Sequence, residues 1–197
     1  MLTATYTLVA LSVEQANVRL SLQSLQELVE ASFVHQDALS AGQVGYACDV
    51  VKRLYDSCHW RKLDMFLIPA IRTATRHADE LLRSLDELGH IAADAVGLLA
   101  IKLGSAAVDS PAKVRQFCHA LDAFCGATLK RLELEEQQLF PVARSVISGE
   151  AWFSIANQML AHDAYVQETR PTRNLQVFAE LPYEQARQQR VSANLVH

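Results

Sequence analysis

Apolar residues recur at spacings of three and four between residues 8 and 29. This stripe consists of Leu8, Leu11, Val18, Leu22, Leu25 and Val29, with Gln15 as its one polar member. The spacing is that of one face of an α-helix, so it predicts a first helix that ends near Phe33. The stretch from Gln36 to Gly45 contains two glycines and predicts a turn after this helix.

Similar stripes over residues 51–66, 81–99 and 114–139 predict a second, a third and a fourth helix. Ser110 suits the N-cap of the fourth helix because its hydroxyl can accept a backbone hydrogen bond. Pro111 suits the first helical position, where its missing N–H costs nothing. No stretch alternates between apolar and polar residues for the length of a strand, so the pattern predicts an all-α fold.

A shorter fifth helix is predicted over about residues 150–167. Its apolar residues, which we expect to pack on the other helices, are Trp152, Phe153, Ile155, Met159 and Leu160. Four long helices with short connections favour an up-down-up-down four-helix bundle, since each short loop reverses the chain direction. We therefore expect one bundle domain over residues 1–168 and a polar, irregular C-terminal tail over residues 169–197.

Composition and charge argue against some classes of binding partner. The chain has 197 residues, of which half are hydrophobic and 20% charged, so it can bury a core without disulfides or metals. A formal net charge of −4 without any run of Lys or Arg argues against nucleic acid and anionic membranes. No apolar run approaches the ~20 residues of a membrane helix, and no signal peptide is visible. The expected location is cytoplasmic, with the four cysteines reduced.

An internal repeat is the most informative feature of the sequence. Residues 59–69 can be laid over residues 131–141 without a gap, at an offset of 72 residues. Leu63 then falls on Glu135, and both segments finish with two apolar residues and a proline. The second and fourth helices are therefore interpreted as copies of one helical unit.

The end of the second copy resembles a known family. The run Glu-Glu-Gln-Gln-Leu-Phe-Pro at residues 135–141, followed by Ser-Gly-Glu-Ala-Trp at residues 148–152, is similar to the end-of-helix pattern of hemerythrin-like, or HHE cation-binding, domains. The resemblance covers about residues 8–165. It implies two helix pairs around one or two iron ions, with each pair giving one His and one His-x-x-x-Glu. Open positions on the iron would bind a small diatomic ligand.

The resemblance implies a metal site that has been partly lost. Its metal ligands in this chain would be His59, Asp64, His90 and Glu135, whereas other residues occupy three ligand positions, namely Gln15, Leu63 and Arg131. Asn17 takes the place of Gln15 if the register differs. Asp64 stands one step beyond Leu63, and its carboxylate would replace the missing Glu.

Two histidines compete for the position in the third helix. His90 lies at the height of the other ligands, 41 residues before Arg131, whereas His77 lies on the apolar stripe of the helix. We favour His90, because ligands on antiparallel helices must lie at the same height, and keep His77 as the alternative.

Two functions follow from the resemblance. One is a non-haem iron protein that binds or senses O₂, NO or redox state. The alternative is a metal-free interaction or regulatory protein in which the guanidinium of Arg131 offsets the charge of Glu135 in place of the metal. Its partner would be another protein or a second copy of this chain. No Ser/His/Asp set, phosphate-binding loop or redox cysteine pair indicates an enzyme.

Overall fold

The computed structural model describes residues 2–59, 61–100 and 107–169, and the regular elements in these ranges are helices. In chain order they are α1 (Leu2–Leu28), a π-helical turn (Val29–Phe33), α2 (Ala41–His59), a π-helical turn (Leu63–Leu67), α3 (Ile68–Ala74), α4 (Asp79–Leu98), α5 (Pro111–Leu134), a π-helical turn (Glu135–Leu139), α6 (Phe140–Val146) and α7 (Gly149–Thr169). The predicted all-α fold is confirmed.

Four of the long helices, α1, α2, α4 and α5, contact one another in a closed ring. α5 packs against α4 and α1, and α2 also packs against both α1 and α4. The short helices α3 and α6, which follow α2 and α5, pack against each other. No helix in the described part of the chain is both long and apolar enough to cross a lipid bilayer.

Two clusters of buried apolar residues form the interior. The first core contains Val18 and the residues after it in α1, together with parts of α2, α4 and α5 that include Phe117 and Phe124. The second core contains the N-terminal part of α1 and the short helices, with Leu139 and Trp152 among its members. In α1, Gln15 falls between the last residue of the second core and the first residue of the first core. A polar layer therefore separates the two cores.

The internal repeat is visible in the backbone. The π-helical turns at Leu63–Leu67 and Glu135–Leu139 lie 72 residues apart, and so do α3 and α6. Each short helix has a proline near its first position and ends at a residue with an extended backbone. A proline lacks an N–H and collides with the carbonyl four residues earlier, which favours a wider turn just before it. The two copies of the repeat therefore accommodate their proline with the same backbone geometry.

The start of α2 differs from the prediction. The helix already begins at Ala41, so the glycines expected in a turn lie inside it. Its N-terminus is a capping box: the backbone N–H of Gln43 donates to Ser40 Oγ at 3.3 Å, and the backbone N–H of Ser40 donates to Gln43 Oε1 at 2.9 Å. The predicted turn through Gly45 is wrong, because this box outweighs the glycines. The predicted N-cap at Ser110 is confirmed by a bond from the backbone N–H of Lys113.

The predicted fifth helix corresponds to α7. Its side chains Trp152, Ile155 and Met159 are buried in the second core, but Phe153 and Leu160 are exposed, contrary to the expectation that they pack. Residues Met1–Ala161 form one compact unit, and the end of α7 from His162 belongs to a second unit. The tail predicted over residues 169–197 lies outside the described residues, apart from Thr169.

Candidate functional site

Glu135 is the centre of a buried polar cluster in the layer between the two cores. It is the first residue of the third π-helical turn, and its side chain is fully buried. The other members come from α1, from the segment after α2 and from α5. They are Gln15, Arg61, Asp64 and Arg131, and together with Glu135 they are called the Glu135 cluster below.

The carboxylate of Glu135 accepts four hydrogen bonds. Its Oε1 accepts from Arg61 Nη1 and from Arg131 Nε, both at 3.1 Å. Its Oε2 accepts from Gln15 Nε2 at 2.7 Å and also from Arg61 Nη2. A carboxylate offers about four lone-pair positions. The hydrogen-bonding capacity of Glu135 is therefore fully used within the protein.

Arg61 is the principal partner of this carboxylate. Its guanidinium contacts both oxygens of Glu135 in the bidentate geometry that makes arginine–carboxylate pairs strong. Burial on its own lowers the pKa of Arg61, but the charge and the hydrogen bonds of Glu135 raise the pKa by more. The net pKa shift is upward, so Arg61 remains charged although its side chain is only 3% exposed.

Arg131 connects Glu135 to a second carboxylate. Its Nε donates to Glu135, and its Nη2 donates to Asp64 Oδ1. Burial raises the pKa of Asp64, and the positive charges of Arg131 and Arg61 only partly oppose this rise. The cluster contains two guanidinium groups and two carboxylates, so its charges balance when all four groups are ionised.

A cavity of about 310 Å³ borders the cluster between α2, α4 and α5. Arg61, Asp64 and Arg131 line its inner wall, and His90 lines its α4 side. α4 presents Gly89 here, where a Cβ would lie 3.3 Å from Arg131 Nη1. The absence of a side chain at Gly89 therefore lets the guanidinium of Arg131 lie close against α4.

Three buried polar atoms of the cluster have no protein hydrogen-bond partner. They are Gln15 Oε1, Arg61 Nε and Asp64 Oδ2. Two of them belong to residues that line the cavity. A buried polar group without a partner costs about 1–3 kcal/mol, so small polar molecules such as water are favoured in this cavity.

The structure brings together four of the residues that the sequence analysis singled out. Gln15, Asp64, Arg131 and Glu135 are members of one cluster. The alternative in α1, Asn17, is exposed on the helix surface. Gln15 is therefore the residue of α1 that faces the cluster.

Leu63, His90 and His77, which the sequence also indicated, lie outside the cluster. Leu63 is fully buried in the second core, next to Asp64. His90 is exposed at the edge of the cavity, whereas His77 is exposed in another cavity near Gln138. His59 is the last residue of α2, and its side chain lies outside the described part of the structure.

Arg61 was missed by the sequence analysis, although it is the most buried cation of the cluster. In the repeat it aligns with Glu133, whose side chain is partly exposed and pairs with Lys130. α2 ends at His59, two residues earlier, so the helical spacing of α2 cannot be extended to Arg61. The one feature of the sequence that could have indicated a buried Arg61 is its position close to the apolar residues Cys58 and Leu63.

The donor set in this arrangement does not fit a metal ion. Glu135 has no lone pair left, and a cation beside it would meet the two guanidinium groups at short range. Asp64 directs one oxygen at Arg131. Among the described residues, no three His, Cys, Asp or Glu side chains are grouped so that they could hold a metal. Iron binding stays a prediction from the resemblance.

No protein-family model matches this chain, and no curated protein or solved structure matches it either.

Proposed function

We propose that this protein is a metal-free, hemerythrin-like helical bundle with an interaction or regulatory role, in which two arginines take the place of metal charge. Arg61 and Arg131 supply the positive charge that iron would supply in the family that the sequence resembles. Glu135 keeps its position at the centre. The proposed arrangement of α1, α2, α4 and α5 is an up-down-up-down four-helix bundle.

The observation that carries this proposal is the complete use of the Glu135 carboxylate. Four N–H groups on three side chains fill its acceptor positions, and the charges of the cluster balance. For a metal to bind Glu135, at least one guanidinium would have to leave a buried ion pair. Breaking such a pair costs about 3–5 kcal/mol, and among the described residues that line the cavity His90 is the one histidine that could offset this loss by binding a metal.

Two features support the kinship and the bundle. The repeated element of π-helical turn, proline and short helix is expected if two helix pairs arose by duplication. The closed ring of contacts among the four long helices suits antiparallel neighbours joined by short connections.

Anaerobic loading with Fe(II), followed by metal analysis and absorption spectroscopy, tests the proposal. We expect no stoichiometric iron in the unaltered protein. Replacing Arg131→His and Leu63→Glu should raise iron uptake little while Arg61 still occupies Glu135, and adding Arg61→Met should raise it further. Arg19→Met, which removes an arginine from a partly exposed ion pair with Glu136, is the matched control and should leave the iron content unchanged. One iron per chain in the unaltered protein would overturn the proposal.

The iron protein that binds or senses O₂, NO or redox state remains the second candidate. It would use His59, Asp64, His90 and Glu135. In its favour, Asp64 and His90 line one cavity beside the cluster. The same loading experiment separates the two candidates, because only this one requires iron in the unaltered protein.

A further inference from the structure

A second apolar stripe runs along α1 on its exposed side. Its large members are between 55% and 76% exposed, and they are Leu2, Tyr6, Val9, Val13 and Leu20. Ala16, which is also exposed, occupies the remaining place. The steps from Leu2 to Leu20 are then four, three, four, three and four residues. This is the spacing of the a and d positions of a coiled coil.

The stripe lies opposite the side of α1 that packs in the protein interior. Leu11 and Val18 are buried in the two cores, and at 100° per residue they point away from Val9 and Val13. A helix that is apolar on both sides is expected to be covered on both sides. Within the compact unit Met1–Ala161, only one side of α1 is covered.

We propose that the exposed stripe of α1 pairs with the same stripe of a second copy of this chain. Of the six positions that flank the stripe, five are uncharged, namely Thr3, Thr5, Ala10, Ser12 and Asn17, and the sixth, Arg19, is paired with Glu136 of the same chain. In coiled coils, charged residues at these flanking positions select a different partner and repel an identical one. A flank whose one charge is paired within its own chain lets identical faces approach, so the surface is compatible with itself.

The size of the stripe also suits a dimer. It spans 18 residues from Leu2 to Leu20, which corresponds to about 27 Å of helix. Its five large side chains expose roughly 600 Å², and a standard interface covers about 800 Å² per partner. With the neighbouring residues included, pairing across a two-fold axis reaches the size of a specific interface.

Sedimentation equilibrium of the full chain tests this pairing. We expect a mass of twice 21.9 kDa at micromolar concentrations. Val9→Glu together with Val13→Glu should weaken dimerisation at least 100-fold without loss of helical far-UV CD, because both positions are exposed. Ile91→Glu, an apolar exposed position on α4, is the matched control and should remain dimeric.

Two further double variants test the pairing if the first variant loses helicity or if another surface forms the dimer. If the double Glu variant loses helicity, Val9→Ser with Val13→Ser replaces it, and about tenfold weaker dimerisation is expected. Phe153→Ser with Leu160→Ser alters the exposed residues of α7 and should leave the dimer intact. A monomer at all concentrations, as expected if residues of the same chain or another protein cover the stripe, would overturn the proposal. So would a dimer lost only in the α7 variant.

Discussion

Removing Arg61 tests whether the Glu135 cluster is held by its buried ion pair. Arg61→Met preserves most of the side-chain volume but removes both hydrogen bonds to Glu135. Breaking a buried pair by removing one partner costs about 3–5 kcal/mol. Arg131 and Gln15 still bind the carboxylate, so we expect a loss near the lower limit, about 3 kcal/mol. Glu135→Met leaves Arg61 buried without a counter-charge and should cost about 5 kcal/mol.

The double variant separates a specific pair from general destabilisation. When Arg61→Met and Glu135→Met are combined, neither charge of the pair remains, and Arg131 still has Asp64 as a partner. The loss should then be at least about 2 kcal/mol smaller than the sum of the two single losses. Urea unfolding followed by far-UV CD measures all four proteins of this cycle.

A partly exposed pair in the same region provides the control. Arg19 and Glu136 form an ion pair at 2.9 Å, and each side chain is 36% exposed. Arg19→Met should cost no more than about 1 kcal/mol, because water and salt screen the interaction. The reasoning about burial would be refuted if Arg61→Met cost as little as Arg19→Met, or if the losses from Arg61→Met and Glu135→Met simply added.

Three further predictions concern single positions. Gly126→Ala, with open space around its new Cβ, should raise the stability by about 0.5–1 kcal/mol. Gly89→Ala should raise the stability less, or lower it, because its Cβ contacts Arg131 at 3.3 Å. The thermal unfolding midpoints of the two variants test this difference. Ser40→Ala removes the capping bond of α2 and should cost about 1 kcal/mol in urea unfolding. Burial, with a contribution from the charge of Asp122, raises the pKa of Cys125 to about 12, whereas the thiol of the unfolded chain ionises near 9.0. The unfolded state is then the first to lose this proton, so stability should fall between about pH 9 and about pH 12, and the fall should be smaller in Cys125→Ala.

The helices could be predicted from the sequence because each buries a regular apolar stripe. The stripe that includes Leu22 and the cap at Ser110 both correspond to what the structure shows. Less of the structure could be predicted at the ends of α2 and α5. There the backbone widens into π-helical turns, which shift every later residue around the helix axis. The direction in which a side chain points, calculated with a constant step of 100° per residue, is therefore wrong beyond such a turn.

The composition of the candidate site was only partly predictable for a related reason. Gln15 and Glu135 could be identified because each is a polar residue in an apolar or repeated pattern. Arg61 follows the end of α2, and its partner lies 74 residues away in the chain. Periodicity reports which face of a helix is buried, but it does not report which charges meet across a core. Such pairings depend on the relative height of two helices, which tertiary packing determines.

The ion pairs of the cluster connect the two copies of the repeat. The first copy provides Arg61 and Asp64, and the second copy provides Arg131 and Glu135. Arg61 binds Glu135 and Arg131 binds Asp64, so both of these bonds cross between the copies. If one copy slid past the other by a helical turn, about 5.4 Å, both crossed pairs would break and leave buried charges without partners. Apolar cores above and below tolerate such a shift far better, since their contacts are not directional. The charged layer is therefore the part of the interior that can define the register of the two repeated segments.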